Sequence, residues 1–336
     1  MFLINIPIEP IEERYSLQWD KWFKDHFEAA EINVRTIYGD TTSGKINKGS
    51  FLDIIETNLY KTSQLSQIIR ILADYDDSYD LVLFFHDLWF PGLSNIAYIR
   101  DGLNLKHLKI CGCLHAGSYD PFDFLAKQGM ASWAALAEES WFGKIVDQIY
   151  VATEFHKSLL CWNRSISVRK ILVTGFPIFD EFLKGLPKNH LPTVVFPHRL
   201  DSEKNPDTFD SLKSFIPDKK ILWGKTMELG GGKVMYASLL AGAHIAVSCA
   251  DQETWGIAMQ EAVFCGCIPL VPNRLSYEEM YLPEFKYKSF AELVDKIEMY
   301  LDTPPTDLLL IQKEKLLSSG ALAIPNIIKA IKKLVE

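Results

Sequence analysis

The chain has 336 residues, 48% hydrophobic and 23% charged, a balance that excludes a disordered or fibrous protein and suggests about two domains. Its net charge of −8, with 17 basic against 23 acidic residues over positions 1–180, excludes a generally basic nucleic-acid binder, which needs a cationic surface for phosphate contacts. Apolar runs such as Leu81–Phe85 fall far short of the roughly 18 residues of a membrane span, and no basic region precedes the apolar start Phe2-Leu-Ile4, so no signal peptide, no stable membrane association and a cytoplasmic location are expected.

In chain order, Phe2–Pro7 reads as a buried strand, and Tyr15–Phe27 as a helix with Trp19, Phe23 and Phe27 at helical spacing. Asn33–Tyr38 is strand-like. Phe51–Asp74 has helical periodicity through Leu52, Ile55, Leu59, Leu65, Ile68 and Leu72. Leu81–Phe85 is a fully apolar strand of the parallel kind. Ile96–Leu103 follows as a helix, His107–Leu114 as a strand and Ala131–Gly143 as a helix. Gln148–Ala152 is a strand, Phe155–Trp162 a helix and Ile171–Thr174 a strand.

The alternation then restarts. Thr193–Phe196, Lys220–Trp223, His244–Ser248 and Ile268–Val271 are strands. Between and after them Pro206–Phe215, Val234–Ala241, Thr254–Cys265, Phe290–Leu301 and Asn326–Val335 are helices. Strands alternating with helices predict parallel sheets in α/β layers, and two such sets predict two doubly wound domains. Their boundary falls near Phe182–Leu191, a polar segment with Pro and Gly. Ligands of such sheets sit beyond the carboxyl ends of the strands, which places the expected site in a cleft between facing domains. The six cysteines include two Cys-Gly-Cys pairs, at 111–113 and 265–267, in apolar stretches; their spacing is too short for a usual zinc pair, and buried reduced thiols are expected.

The most informative stretch runs from Ser248 to Leu270. It is a strand, a loop Glu253-Thr254-Trp255-Gly256, and a helix carrying Glu261. The helix N-terminus offers backbone N–H groups and a positive dipole end to a phosphate, and Gly256 lets backbone approach a ligand. Glu261 lies about two turns into the helix, within reach of a ribose along it. A second stretch, Pro197-His-Arg199…Lys204-Asn-Pro206, follows the second set's first strand. Its two cations can converge on one anion such as a diphosphate, although ion pairs of Arg199 with Asp201 or Glu203 are the plainer alternative.

On these residues the chain resembles the GT-B retaining glycosyltransferases, specifically the family-4-like group. Glu253 and Glu261 match that group's pair of glutamates separated by seven residues. Gly256, Glu261-Ala262 and Gly266-Cys-Ile-Pro269 follow in order, with Trp255 in place of the usual phenylalanine. The wording of 197–209, 261–270 and 272–279 is closest to the queuosine-tRNA mannosyltransferases, over 193–285 only. The resemblance implies a GT-B fold: an acceptor-side domain over 1–182, a nucleotide-sugar domain over 191–320, and a C-terminal helix, 321–336, packing back on the first. It also implies a UDP- or GDP-sugar donor and no metal or other cofactor. Glu253 would hold sugar hydroxyls, Arg199 and Lys204 the diphosphate, Gly256 with Thr254 and Trp255 the same phosphates, and Glu261 the ribose.

In the first half His86-Asp87 and His115 stand just after apolar strands. His115 is the candidate for touching the donor sugar, His86 and Asp87 for facing the acceptor. The family's glycine-rich loop after the first strand is missing. In its place Arg14, Tyr15 and Trp19 are candidates for binding a phosphate and stacking on a base. Gly224 and Lys225 are candidates for the nucleotide base. Asp74-Tyr-Asp76 fits a metal motif only formally, and Gly230-Gly-Gly-Lys233 lacks the spacing of a phosphate loop.

The expected activity is therefore retaining, metal-independent transfer of a hexose to a hydroxyl of a modified nucleobase, in tRNA or in hydroxymethylated DNA such as a phage's. A transferase acting on a cell-surface glycan or lipid-linked sugar is the alternative acceptor reading, and a nucleotide-sugar-binding inactive homologue the alternative class. The oligomeric state is not legible in the sequence.

Overall fold

The computed structural model describes residues 1–12, 14–40, 53–180, 187–216, 220–228 and 232–336. The chain divides into two compact units, Met1–Pro177 with Leu322–Glu336, and Ile178–Ala321. That division falls ahead of the segment read as a linker, of which 182–186 lie outside the described residues. Among the described residues no helix is long and apolar enough to cross a membrane.

The first unit is built on β1 (Phe2–Ile6), α1 (Tyr15–Ala29), β2 (Val34–Thr36), α2 (Ile54–Ala73), β3 (Leu81–Phe85), α3 (Leu93–Gly102) and β4 (Leu108–Cys113). It continues with α4 (Phe124–Lys127), α5 (Ala131–Ser140), β5 (Gln148–Val151), α6 (Glu154–Arg164) and β6 (Ile171–Val173). The strands form one parallel sheet in the order β2-β1-β3-β4-β5-β6. β3 is buried along its whole length, as its unbroken apolar run predicts for a central parallel strand. The helix expected from Phe51 begins at Ile54, where Asp53 accepts from the N–H groups of Ile55 and Glu56; Phe51 and Leu52 lie outside the described residues. The helix expected over 131–143 stops at Ser140 and passes into a π-turn, Trp141–Ile145.

The second unit holds β7 (Thr193–Phe196), α7 (Pro206–Phe215), β8 (Leu222–Lys225), α8 (Gly232–Gly242), β9 (Ile245–Val247), α9 (Ile257–Phe264) and β10 (Ile268–Pro272). After these come α10 (Tyr277–Met280), β11 (Lys286–Tyr287), α11 (Phe290–Asp302) and the start of α12 (Thr306–Leu334), whose last residues belong to the first unit. Its sheet is parallel, in the order β11-β10-β9-β7-β8. β8 runs through Gly224 and Lys225, which were expected to lie just past the strand's end. The last helix was expected only from Asn326 to Val335. It is one helix of 29 residues with Pro325 inside it, because the apolar spacing is continuous on both sides of the proline.

Both sheets reverse direction once. The chain leaves β1 for one edge (β2) and returns on its other side (β3). In the second unit it leaves β7 for β8 and returns to β9. These reversals are topological switch points, where the loops after two neighbouring strands diverge and leave a crevice. The register aligns Ile6 with Phe85, Phe85 with Gly112, and Val195 with Ala246, so each sheet's carboxyl-end loops share one edge.

Gly112, between the two buried thiols of Cys111 and Cys113, shows how tightly that edge is packed. A Cβ there would stand 2.4 Å from the Phe85 carbonyl oxygen and 2.9 Å from the Phe85 Cβ. Gly112→Ala is expected to destabilise the protein by about 1–3 kcal/mol, the usual cost of overpacking a core. Gly102→Ala, where a Cβ meets nothing within 4 Å, should be neutral or stabilising. Urea midpoints of the two variants against the parent check this.

Candidate functional site

The crevice between β7 and β9 gathers the charged residues of both motifs. Arg199 and Lys204 lie on the loop after β7, and Glu253 lies on the loop after β9. Lys204 Nζ stands 3.3 Å from Glu253 Oε2 and 3.2 Å from Gln252 Oε1. Glu253 turns its other oxygen, Oε1, back on its own loop and accepts from the N–H groups of Thr254 (3.1 Å), Trp255 (3.3 Å) and Gly256 (2.8 Å). A buried carboxylate would ordinarily be pushed up. Here Lys204 and the N–H groups of Gly256 and Trp255 outweigh burial, and the Glu253 pKa falls to about 2.

Gly256 has φ +67°, and a Cβ on it would lie 3.0 Å from the Tyr277 ring. Both facts require glycine. The left-handed turn ends the loop and starts α9 at Ile257, three residues later than the sequence suggested. Within α9 the N–H groups of Met259 and Gln260 already bond to the Gly256 carbonyl. The N–H groups of Ile257 and Ala258, ahead of them, have no intrahelical acceptor, as for the first turn of any helix. Trp255, expected to contact the ligand, is 4% exposed and packs beneath the loop, where its carbonyl accepts from Gln260 Nε2 at 2.7 Å.

Arg199 does not join Lys204 on a shared partner. Its guanidinium forms an ion pair with Asp201 at 2.6 Å and donates to Glu203 at 3.3 Å, as the plainer sequence alternative has it. Still 37% exposed, it keeps part of its guanidinium open to an incoming anion beside the two acids. Lys225 is likewise paired, with Asp210 (2.7 Å) and Glu228 (2.9 Å). Glu261 faces α8 and accepts from Tyr236 Oη at 2.7 Å. Of the glycine run 230–232 ahead of α8, Gly230 and Gly231 lie outside the described residues.

His198 had no part in the motif reading beyond its place in the sequence. It is 3% exposed, its Nε2 has no partner, and burial followed by the charge of Lys204 lowers its pKa to about 3. It is a neutral imidazole beside the Lys204–Glu253 pair. An imidazole directly before a motif arginine and after a buried strand was the available signal.

In the first unit the candidates separate. His86 is 1% exposed, donates from Nε2 to Asn5 Oδ1 at 2.8 Å and packs against Phe23 at 4.4 Å. It is a core residue, which corrects its expected acceptor role. Trp19 is 1% exposed and donates to the Pro177 carbonyl at 3.1 Å, so it packs the sheet and stacks on no base. Asp87 pairs with Lys61 at 3.2 Å and caps the N–H of Trp89. Arg14 is the N-cap residue of α1 and Tyr15 its first residue.

His115 uses both ring nitrogens within the unit: Nε2 on the His86 carbonyl at 2.8 Å and Nδ1 on Tyr15 Oη at 3.4 Å, with Trp19 and Phe176 both 4.9 Å away. In this structure it ties α1 to the loops after β3 and β4 and presents no spare nitrogen to a sugar. The loop that follows is fixed by a network the sequence reading missed. Glu138, fully buried, accepts from the Ser118 N–H and hydroxyl and from Arg164 Nε at 2.7 Å. Among the described residues no group of three or more His, Cys, Asp or Glu side chains is placed to hold a metal ion.

No known family model matches the sequence. The chain is 32% identical over a 158-residue alignment to the tRNA-queuosine alpha-mannosyltransferase of Drosophila melanogaster, an alignment covering 38% of this chain and 42% of the fly protein. It thus spans less than half the length of that relative. Solved structures match over nearly the whole length. Sucrose-phosphate synthase from Thermosynechococcus elongatus superposes with a TM-score of 0.71 at 12% identity, covering 99% of both chains. A glycosyltransferase from Rickettsia africae gives 0.70 at 12% identity, over 100% of this chain and 99% of that one. Anabaena HepE, solved with UDP-glucose, gives 0.63 at 12% identity, over 99% and 98%. The chain has the GT-B fold of these glycosyltransferases: two Rossmann-like units with parallel sheets.

The Glu253 environment makes a pH prediction. Its folded pKa, about 2, lies below the ordinary 4.5, so its ionisation contributes stability that is present above pH 4.5 and lost as pH falls toward 2. Glu253→Gln should therefore reduce the proton uptake on unfolding by about one between pH 4.5 and 2. Urea unfolding of both proteins across that range measures the difference in slope.

Proposed function

We propose that the chain is a retaining, metal-independent glycosyltransferase that moves a hexose from a UDP- or GDP-linked donor to a hydroxyl of a modified nucleobase in nucleic acid. The observation that carries this reading is the Lys204–Glu253 pair at the β7/β9 switch point, fixed by the Glu253 hydrogen bonds to its own loop. A preorganised cation beside a helix N-terminus is suited to a diphosphate, whose negative charge grows as the glycosidic bond breaks.

In this reading Lys204 takes the diphosphate, and Arg199 joins it with its exposed guanidinium N–H groups. The α9 N-terminus completes the phosphate seat. Glu253 accepts from sugar hydroxyls through the lone pairs its loop leaves over, and Glu261 accepts from the ribose. The departing phosphate removes the acceptor's proton on the same face, so no side-chain base is assigned. The charge a metal would supply falls to Lys204 and Arg199. The similarity to the fly tRNA-queuosine alpha-mannosyltransferase supports a nucleobase acceptor and a mannose donor, and the carboxyl-end loops of the first unit are the candidate acceptor surface.

The test is nucleoside diphosphate release from GDP-mannose and UDP-glucose, with and without tRNA or hydroxymethylated DNA. Release stimulated by one nucleic acid, and lowered more than about 100-fold in Glu253→Ala and Lys204→Ala, is the expected outcome. Release that no nucleic acid stimulates but a glycan does moves the acceptor to the alternative class. Binding of a donor without release points to the inactive homologue.

A further inference from the structure

Glu261 occupies an electrostatic position opposite to that of Glu253, although the two share one loop-helix segment. Burial pushes its pKa up, and only two groups act against burial, the Tyr236 hydroxyl and the charge of Lys233. Both lie on α8, three residues apart and so on one face. Tyr236 Oη donates to Glu261 Oε2 at 2.7 Å, which fixes one oxygen of the carboxyl group. Burial holds the Tyr236 hydroxyl protonated, so it remains a donor. Burial likewise lowers the Lys233 pKa, while the charge of Glu261 opposes that shift.

Resting on the assignment of Glu261 to the donor ribose, we propose that Tyr236 and Lys233 are positioning residues that hold the Glu261 carboxylate ionised and turned so that Oε1 accepts from the ribose hydroxyls. A ribose presents two vicinal O–H donors, and an ionised carboxylate accepts from both without bringing a donor of its own. A protonated Glu261 would offer a donor where an acceptor is needed. A freely rotating one would pay rotamer entropy on each binding event. Tyr236 occupies Oε2 and removes that freedom, and the Lys233 ammonium keeps the charge in place against burial. This gives a specific part to the lysine of the glycine run, which in sequence resembles a phosphate loop only in composition.

The inference separates from the activity reading by comparing nucleotides that differ at one hydroxyl. Titration calorimetry on the full chain, with UDP and GDP against their 2′-deoxy counterparts, measures the preference for ribose. The parent should prefer the ribonucleotide by about tenfold, roughly 1.4 kcal/mol, and Glu261→Ala should abolish that preference. Tyr236→Phe and Lys233→Met should each lose at least threefold of it, leave deoxynucleotide affinity within twofold, and raise the donor KM with little change in kcat. Two variants on one helix guard against a single folding failure.

If both variants keep the full preference while Glu261→Ala loses it, the positioning inference fails and the Glu261 assignment stands. Equal weakening toward ribo- and deoxynucleotides assigns Tyr236 and Lys233 a purely structural role and overturns the inference. If Glu261→Ala keeps the parent's preference, or neither nucleotide binds the parent, the assignment of Glu261 itself fails and the inference goes with it.

Discussion

The candidate site depends on one ion pair, Lys204 to Glu253, joining side chains 49 residues apart in sequence. They meet because the strand order reverses between β7 and β9, so the loops leaving two hydrogen-bonded neighbours diverge from the same edge. A buried pair of this kind is costly unless further hydrogen bonds satisfy it. Glu253 meets that requirement with three N–H groups of its own loop, and Lys204 with Gln252. The pair therefore fixes the loop, and the loop fixes Gly256 and the start of α9. Shifting Lys204 would loosen the backbone donors as well as the charge.

The two glutamates of the motif show how one segment produces two kinds of carboxylate. Glu253 sits against a lysine and backbone N–H groups and is driven well below the usual carboxylate range. Glu261, half-buried on α9, has its pKa raised by desolvation, and a tyrosine on a different helix donates to it. Their spacing in sequence says that both can approach a ligand lying along the helix. It does not say how each carboxylate's pKa shifts or how each is aimed, because those properties come from α8 and from the loop after β7.

The first unit shares its architecture with the second but distributes its polar groups differently. His86, His115 and His156 are all held neutral, burial being the largest cause in each case. Their ring nitrogens serve Asn5, the His86 carbonyl, Tyr15 and Tyr119, so they brace the carboxyl-end loops. Glu138 with Arg164 and Ser118 does the same for the loop after β4.

The sequence by itself determined the fold class, the main alternation of strands and helices without the short β11, α4 and α10, and the two charged motifs of the second unit. Those features are local. An unbroken apolar run such as Leu81–Phe85 reads as a central strand, and Asn205-Pro206 reads as a helix start, which α7 matches from Pro206 to Phe215. Helix ends near strained glycines were less legible, because the left-handed turn at Gly256 depends on the Tyr277 ring packed against it. What only the tertiary structure decided is which candidates face outward and which are consumed by packing. Residues after apolar strands look alike in sequence, yet His86 lies in the core, Arg199 and Lys225 are paired with acids, and Tyr236, with no motif of its own, meets Glu261. Each outcome follows from a neighbour far away in the chain, and sheet order and register, which set those neighbours, are not written in any one segment.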